Sequence, residues 1–223
     1  MMRESLIFGI QLKLIDMLTI TNEDNMQLMA RYPDKYFDLA IVDPPYGIDI
    51  AKWDSITDRP KKEYWDELFR VSKNQIVFGA NYFTDFLSIT KSWLVWDKSI
   101  RGKSFLKNRS QFELIWTSLK ETPAIFNYTI DGNIQGWDGG KPDYFKKKSI
   151  HPTQKPYQVY EFLLNYYAKE NNKILDTHLG SGSIAIACHD YGFDLTACEL
   201  DKEYFDKAMQ RINNHTAQYK LFL

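Results

Sequence analysis

The stretch KILDTHLGSGSIA, Lys173–Ala185, decides the fold, because it combines a short buried strand, a glycine turn and the first residues of a helix. Its glycines follow the pattern G-x-G-x-x-A from Gly180 to Ala185, and Glu199 ends the next strand-like run 19 positions after Gly180. This pattern, with an acidic residue about 20 positions further on, is typical of nucleotide cofactor sites in α/β domains. The stretch therefore predicts an α/β domain with a cofactor at the glycine turn.

Outside this stretch, apolar strand-like runs alternate with helical patterns along the chain. Such alternation predicts a doubly wound, mostly parallel sheet covered by helices on both faces. Asp201 is the predicted N-cap of the last helix, and Asp58 with Pro60 is predicted to begin a helix that ends at about Ser72. We predict seven strands: Met17–Asn22, Tyr36–Val42, Asn74–Gly79, Ser92–Asp97, Phe112–Thr117, Lys173–Asp176 and Asp194–Glu199.

A second motif, Asp43-Pro44-Pro45-Tyr46, directly follows the predicted strand Tyr36–Val42. The two prolines fix φ and remove two backbone donors, so the chain leaves the sheet at the carboxyl edge of the strand. Open α/β sheets bind ligands at that edge. The Asp43 carboxylate and the carbonyl groups around Pro44 form a cluster of hydrogen-bond acceptors beside an aromatic ring. The cluster suits a planar group that carries an amine; the alternative interpretation is a proline turn that only ends the strand.

The charge of Asp176 distinguishes two classes of cofactor. A carboxylate at the end of the strand Lys173–Asp176 repels the pyrophosphate of NAD but attracts the α-amino group or the sulfonium of S-adenosylmethionine. Glu199 is able to accept hydrogen bonds from the ribose hydroxyls of either cofactor. The sequence therefore favours S-adenosylmethionine, and an NAD-dependent oxidoreductase is the alternative.

Composition excludes several other classes of protein. Of the 223 residues, 44% are hydrophobic and 26% are charged, which provides enough apolar material for a core. Cys188 and Cys198 are too few for a disulfide framework and lack the spacing of a zinc site. No apolar run reaches the roughly 18–20 residues that cross a bilayer, so we expect a cytoplasmic protein. No metal site is predicted from the four scattered histidines, His151, His178, His189 and His215.

The net charge of −1 conceals a segregation of charge along the chain. Residues 89–155 carry 12 basic and 6 acidic side chains, a charge of +6, whereas the remainder carries 16 and 23, a charge of −7. Within this segment, residues 98–150 are rich in lysine, glycine, asparagine and aromatic residues, and only Phe112–Thr117 has the pattern of a core strand. We predict an insertion that contacts a polyanion, with a solvated lysine-rich loop as the alternative.

Four motifs in this order resemble the amino-group DNA methyltransferases, and within them the β-type, whose motifs are permuted. In that type the DPPY motif precedes the target-recognition segment, and the glycine motif lies near the end of the chain. HPTQKP, His151–Pro156, is similar to the family's segment before the glycine motif, and ELDKEY, Glu199–Tyr204, resembles the element after the second cofactor strand. The resemblance covers residues 17–212 and implies the Rossmann-like fold of the class I S-adenosylmethionine-dependent methyltransferases.

The resemblance divides the chain into three regions of one domain with an extension. Residues 17–97 are the predicted catalytic half, residues 98–150 the target-recognition insertion with a core strand at 112–117, and residues 151–223 the cofactor-binding half. Residues 1–16 are predicted to be an N-terminal extension. Double-stranded DNA is the implied partner, and a homodimer is compatible with the family.

The resemblance also implies roles for individual residues. The predicted catalytic residues are Asp43, Pro44, Pro45 and Tyr46, with Tyr46 stacking on the flipped base. The cofactor is expected to contact Asp24, Thr153, Lys155, Asp176, His178, Gly180, Gly182 and Glu199, with Asp24 accepting from its adenine amine. DNA is expected to contact Arg101, Lys103, Lys107, Arg109, Lys146, Lys147 and Lys148.

One position departs from the family's glycine motif, which has an aromatic residue where this chain has His178. A protonated imidazole beside the sulfonium would weaken cofactor binding. We therefore predict tighter cofactor binding above about pH 7 than below about pH 6, since histidine titrates in this range. The alternative is a packing substitution without an effect on pH dependence.

These observations predict a site-specific DNA adenine-N6 methyltransferase that transfers a methyl group from S-adenosylmethionine to a flipped adenine. A cytosine-N4 methyltransferase is the first alternative, because the acceptor cluster distinguishes the two amines only slightly. An NAD-dependent oxidoreductase, a non-catalytic nucleic-acid-binding relic, and an enzyme acting on an amine of RNA or protein are the others. Neither cysteine lies in a proline-cysteine loop, which argues against methylation of cytosine at carbon 5.

Overall fold

A computed structural model describes residues 17–49, 54–55, 59–99, 110–131, 134–137, 143–144 and 154–219. These residues contain ten strands: β1 Leu18–Asn22, β2 Phe37–Val42, β3 Ser72–Phe78, β4 Trp93–Asp97, β5 Phe112–Thr117, β6 Ala124–Asp131, β7 Ile134–Trp137, β8 Asp143–Tyr144, β9 Lys173–Asp176 and β10 Asp194–Glu199. They also contain five α-helices: α1 Asn25–Ala30, α2 Lys62–Val71, α3 Tyr157–Tyr167, α4 Ser183–Tyr191 and α5 Lys202–Tyr219. A single 3-10 turn, Ala80–Tyr82, follows β3.

The strands form a sheet in the order β1-β10-β9-β2-β3-β5-β4-β6-β7-β8. The first five strands in this order are parallel to one another, and β5 runs antiparallel between β3 and β4. Strand β6 is parallel to β4, while β7 and β8 continue the sheet in antiparallel pairs. The predicted mostly parallel α/β fold is therefore confirmed.

The seven predicted strands are all present, with boundaries within two residues of the prediction. The count of seven is wrong for the described residues, because β6, β7 and β8 extend the sheet. Strand β6 lies in the region 98–150, where only β5 was expected to join the core, and its Phe126 and Tyr128 are buried. The polar residues Asn127 and Thr129 interrupt its apolar run, so pairing with β4 rather than a continuous apolar pattern makes it a strand.

Helices cover both faces of the sheet, as a doubly wound fold requires. Successive side chains of a strand point to opposite faces. In β2, Leu39 and Ile41 therefore enter the core formed with α3, α4 and α5, whereas Ala40 and Val42 enter the core formed with α1 and α2. Both faces of the strand that carries the DPPY motif are thus packed, which holds the carboxyl end of β2 in a fixed position.

The predicted start of α5 agrees with the structure, whereas the predicted start of α2 does not. Asp201 caps α5, since its Oδ1 accepts hydrogen bonds from the backbone N–H groups of Glu203 (2.8 Å) and Tyr204 (3.0 Å). The predicted start of α2 at Asp58 and Pro60 is wrong, because Lys61 is the N-cap and makes no side-chain capping bond. In the described part of the chain, no helix combines the length and apolar character needed to cross a bilayer.

Candidate active site

The DPPY corner places four polar side chains in contact. Asp43 follows the last residue of β2, and its Oδ1 accepts a hydrogen bond from the Tyr46 hydroxyl at 2.7 Å. The Lys155 ammonium contacts Asp43 Oδ2 and lies 3.2 Å from Oε1 of Glu113, a residue of β5. The Tyr46 hydroxyl lies 2.9 Å from the same Glu113 oxygen. Two carboxylates therefore share one buried lysine and one phenol.

The charges in this cluster determine which carboxyl group keeps a proton more easily. Burial raises the pKa of Glu113, but the nearby ammonium groups of Lys155 and Lys98 outweigh it and hold the pKa at about 2. Burial also raises the pKa of Asp43, and the single lysine contact only partly offsets that effect. Burial lowers the pKa of Lys155, yet its two carboxylate partners raise it overall, so the ammonium stays charged. Asp43 is thus the less acidic of the two carboxyl groups.

A buried carboxylate fixes the backbone that follows the two prolines. Asp54 is fully buried, and its Oδ1 accepts hydrogen bonds from the backbone N–H groups of Tyr46 (2.6 Å) and Gly47 (2.8 Å). Its Oδ2 accepts a third from Ile48 at 3.3 Å. Prolines cannot supply such bonds, so Asp54 anchors the part of the loop where N–H groups are again available.

The ring of Tyr46 occupies a slot that Gly79 leaves open. Tyr82 stacks on the ring with centroids 4.9 Å apart and an interplanar angle of 16°. A Cβ atom at Gly79 would lie 2.3 Å from Tyr46 Cε1, and the φ of Gly79 is 60°. Tyr82 therefore covers one face of the Tyr46 ring, and Gly79 packs against the ring as well.

The glycine bend lies between β9 and α4 and is held by Glu199. Gly180 has a φ of 53° and donates its N–H to Glu199 Oε2 at 2.8 Å, while Glu199 Oε1 accepts from Asp201 at 3.0 Å. A Cβ atom at Gly180 would meet only the His178 carbonyl oxygen, at 3.8 Å, so this side of the bend is open. A Cβ atom at Gly182, whose φ is 74°, would instead lie 2.9 Å from Ile212 Cδ1, so a side chain there would crowd the packing of α5 against the bend.

Asp176 is buried next to the glycine bend, whereas His178 lines the cavity. Asp176 is 2% exposed, its Oδ1 accepts a hydrogen bond from the His178 N–H at 3.0 Å, and it is not among the residues that line the cavity. Burial raises the pKa of Asp176 to about 8. Burial also lowers the pKa of His178 to about 3, so the prediction that His178 gains a proton near neutral pH is wrong. His178 is a neutral ring, with Nε2 3.1 Å from Asn25 Nδ2 and Nδ1 2.9 Å from Thr177 Oγ1.

The DPPY corner and the glycine bend line one cavity of about 1090 Å³. Asp24 lines the same cavity while capping α1, with its Oδ1 accepting from the N–H groups of Met26 (2.8 Å) and Gln27 (3.3 Å). The predicted site residues that the structure brings together are Asp24, Asp43, Pro44, Pro45, Tyr46, Lys155, His178, Gly180 and Glu199. Those that lie outside the described residues are Thr153, Arg101, Lys103, Lys107, Arg109, Lys146, Lys147 and Lys148.

The cavity wall is mainly acidic. Its lining residues include eight with carboxyl groups, Glu23, Asp24, Asp43, Asp54, Glu63, Glu113, Glu199 and Asp201, and four basic ones, Arg59, Lys61, Lys98 and Lys155. Such an excess of acidic groups favours a cationic ligand and disfavours a pyrophosphate. The NAD alternative therefore fits this cavity poorly.

Several lining residues are absent from the sequence prediction. Glu113 carries a sequence signal, because an acidic residue within the apolar run of β5 is unusual for a core strand. Asp54 has no such sequence signal, because its role as a hydrogen-bond acceptor depends on which backbone N–H groups of the loop point toward it. Other lining residues absent from the prediction include Tyr64, Trp96, Lys98 and Tyr160.

The known proteins that this chain resembles in sequence are DNA methyltransferases. A DNA methylase family model of the N6/N4 type matches residues 37–210. The type II methyltransferase M.HpaI of Haemophilus parainfluenzae is 25% identical over 229 residues, which cover 85% of this chain and 72% of that protein. The type II methyltransferase M1.MboII of Moraxella bovis is 22% identical over 231 residues, which cover 78% of this chain and 88% of that protein.

Solved structures share the fold. The M1.HpyAVI–SAM complex matches with a TM-score of 0.60 and 21% identity, over 87% of this chain and 100% of that one. The cytosine-N4-specific PvuII DNA methyltransferase matches with a TM-score of 0.55 and 12% identity, over 91% and 94%. Since the family model spans most of the sequence, the chain belongs to the N6/N4 DNA methylase family.

Proposed function

We propose that this protein transfers a methyl group from S-adenosylmethionine to the N6 amine of adenine in double-stranded DNA. The observation that carries the proposal is the shared cavity, in which Asp43 and Pro44 face the same space as Gly180 and Glu199. An acceptor cluster for an amine and the cofactor edge of the sheet thus meet. Membership of the N6/N4 DNA methylase family supports amino-group methylation, and the aspartate at the first motif position favours adenine over cytosine.

The cavity suits the proposed cofactor in size and charge. Its volume of about 1090 Å³ exceeds the roughly 300–1,000 Å³ of a pocket for one drug-sized ligand, so it has room for a cofactor and a base. S-adenosylmethionine, when bound, supplies a methyl group on a positively charged sulfur. Glu199 and Asp24 are the residues we expect to hold its adenosine part, and the open side of Gly180 leaves space for it.

The chain's own residues prepare the amine for attack. Asp43 and the carbonyl group of Pro44 each accept a hydrogen bond from one N–H of the amine, and these two bonds localise the nitrogen lone pair. As the new N–C bond forms and the bond between the methyl group and sulfur breaks, the sulfur leaves as a neutral thioether and the positive charge moves to nitrogen. The fixed carboxylate of Asp43 stabilises that charge until the surplus N–H proton passes to solvent. Lys155 and Tyr46 hold that carboxylate in place through contacts to each of its oxygens. Holding the reacting groups in line supplies much of the remaining acceleration.

The adenine must leave the DNA helix to reach this site, at a cost of a few kcal/mol. The face of Tyr46 opposite Tyr82 is the surface on which we expect the flipped base to stack. Phosphate contacts from the basic region of residues 98–150 complete the proposal, with Arg101, Lys103, Lys107, Arg109 and Lys146–Lys148 as the expected contacts.

The proposal is tested by expressing the full chain in cells without adenine methylation and analysing the nucleosides of their DNA by mass spectrometry. We expect N6-methyladenine with the wild-type protein and with the control Asp206→Ala, a change on the exposed face of α5. Asp43→Ala should abolish the modification while the purified variant still binds S-adenosylmethionine in a calorimetric titration. N4-methylcytosine instead would establish the cytosine alternative, and cofactor binding without any modified base would contradict the enzymatic proposal.

A further inference from the structure

A cluster of metal-ligating side chains lies outside the cavity, where α4 meets α5. His189 and Asp190 belong to the last turn of α4, and His215 belongs to α5. His189 Nδ1 lies 2.9 Å from Asp190 Oδ1, and His215 Nε2 lies 2.8 Å and 2.9 Å from the two Asp190 oxygens. The side chains are 9%, 10% and 23% exposed. Residues that are 25 positions apart in sequence therefore converge at a mostly buried point.

We propose that His189, Asp190 and His215 form a binding site for a divalent transition metal of the zinc class. Two imidazole nitrogens and one carboxylate oxygen are a ligand set that Zn²⁺ commonly takes, with a water molecule as the fourth ligand. The three ligand atoms lie within 4.8 Å of one another, compared with about 3.4 Å between ligands of a tetrahedral zinc ion. Adjustments of about an ångström in the side chains bring them to that spacing.

The surroundings of the cluster favour a cation. Glu161 of α3 lies close enough for burial, together with the negative charge of Asp190, to raise its pKa. The ring of Tyr157, at the start of α3, lies 6.1 Å from the His215 ring, and the two histidine rings are 6.0 Å apart. Three helices thus meet around one carboxyl group and two imidazoles.

The site has a structural consequence for the cavity. Helix α5 also supports the glycine bend, because Arg211 donates hydrogen bonds to the Ser181 carbonyl oxygen (2.7 Å) and to Ser183 Oγ (2.9 Å). Ile212 of the same helix packs against Gly182. A metal ion that joins α4 to α5 therefore stabilises the pair of helices beneath the cofactor edge. It takes no part in methyl transfer, since none of its three ligands lines the cavity.

The test is a titration of the chelator-treated full-length protein with Zn²⁺ by calorimetry and with Co²⁺ by visible absorption. We expect one equivalent to bind with micromolar or tighter affinity, an absorption band of four-coordinate Co²⁺, and a rise in the unfolding temperature with Zn²⁺ concentration. His215→Asn and Asp190→Asn should each weaken Zn²⁺ binding at least tenfold. His178→Asn is the matched control, because His178 lies in the cavity wall, and it should leave the affinity unchanged.

The variants distinguish the proposed site from binding elsewhere. His215 is partly exposed, so His215→Asn should keep the fold, and circular dichroism checks this. Absence of saturable binding would overturn the proposal, as would equal Zn²⁺ affinity in His215→Asn and the wild type. Loss of binding in His178→Asn would place the ion in the cavity and would overturn it as well. None of these results depends on methyl transfer, so the proposed function stands or fails separately.

Discussion

A single buried carboxylate, that of Asp54, holds three consecutive N–H groups beside the catalytic motif. An N–H group that loses its buried partner costs about 1–3 kcal/mol, so this loop has one strongly preferred conformation. The loop carries Tyr46, whose hydroxyl contacts Asp43. The position of the Asp43 carboxylate therefore depends on the hydrogen bonds that Asp54 accepts from this loop.

Replacing Asp54 with alanine should reduce methyl transfer more than cofactor binding. We expect kcat to fall by about 10- to 100-fold, because small displacements of reacting groups have effects of this size, while the Kd for S-adenosylmethionine stays within about threefold. Asp54→Asn keeps one acceptor oxygen, so its kcat should lie between those of the wild type and Asp54→Ala. Asp66→Ala, on the exposed face of α2, is the control. Equal losses of kcat and of cofactor affinity would argue for general unfolding of the site.

Asp176 links the stability of the protein to pH. Its pKa rises from an ordinary value of 3.8 to about 8 through burial. Between these values the folded protein holds a proton that the unfolded chain releases. The stability contributed by this group is therefore complete below about pH 4 and is lost as the pH rises to about 8.

Asp176→Asn should remove the loss of folding stability at rising pH, because the amide is neutral at every pH. Its oxygen still accepts a hydrogen bond from the His178 N–H. We expect the Tm of the variant to exceed that of the wild type by several degrees at pH 8, since about 1 kcal/mol corresponds to 2–4 °C for a chain of this size. The difference should shrink toward pH 4. Scanning calorimetry measures both curves, with the exposed Asp194→Asn as control; a difference independent of pH would rule out Asp176 titration as its source.

At the scale of elements, the end of β3 and the DPPY loop interlock through Gly79 and Tyr46. Gly79 has a φ of 60°, and its missing side chain leaves the space that the Tyr46 ring fills. Gly192, at the end of α4, has a similar φ of 76°, but a Cβ atom there would meet only Met17 Cε, at 4.0 Å. The two glycines thus share a left-handed backbone conformation that other residues rarely adopt, and they differ in what a methyl group would displace.

Gly79→Ala and Gly192→Ala should therefore both lose stability, by roughly 1–2 kcal/mol from the left-handed conformation alone. Only Gly79→Ala should also lose methyl transfer, because its methyl group displaces the Tyr46 ring from Asp43. Urea unfolding gives the stability, and incorporation of labelled methyl groups into DNA, well below the unfolding temperature, gives the activity. Full activity in Gly79→Ala would mean that the position of Tyr46 is not required.

On the scale of the whole molecule, charge is divided between a basic segment and an acidic remainder. Residues 89–155 carry +6 and the remainder −7. The cavity wall also carries more acidic than basic side chains. We expect the basic segment to attract DNA and the acidic wall to disfavour phosphates, so the affinity for DNA should depend strongly on salt.

Neutralising Lys146, Lys147 and Lys148 together with glutamine should weaken DNA binding and reduce its salt dependence. The slope of log K against log salt concentration should fall by up to about 0.9 for each lost phosphate contact. A matched control neutralises Lys62, Lys202 and Lys207, which are exposed on helices α2 and α5. Fluorescence anisotropy at several salt concentrations measures both slopes, and an unchanged slope in the first variant would refute the phosphate role.

Local sequence patterns are enough to place seven of the ten described strands and the two turns that follow β2 and β9. These features are local: apolar periodicity decides which residues enter a sheet, and proline and glycine restrict the backbone at the positions where they occur. For the same reason the DPPY corner and the glycine bend were assigned to one edge of the sheet, where the cavity lies. Strands β6, β7 and β8 are the exceptions, and in β6 polar residues obscure the periodicity.

Contacts between residues far apart in sequence could not be predicted from the sequence and are known only from the folded structure. Lys155 reaches Asp43 across 112 positions, Asp54 turns toward the loop before it, and His215 meets Asp190 across 25 positions. Such contacts have no periodic signal, because they depend on how finished elements pack against one another. The pKa values of Asp176 and His178 follow the same rule, since burial determines them and burial is a property of the assembled fold.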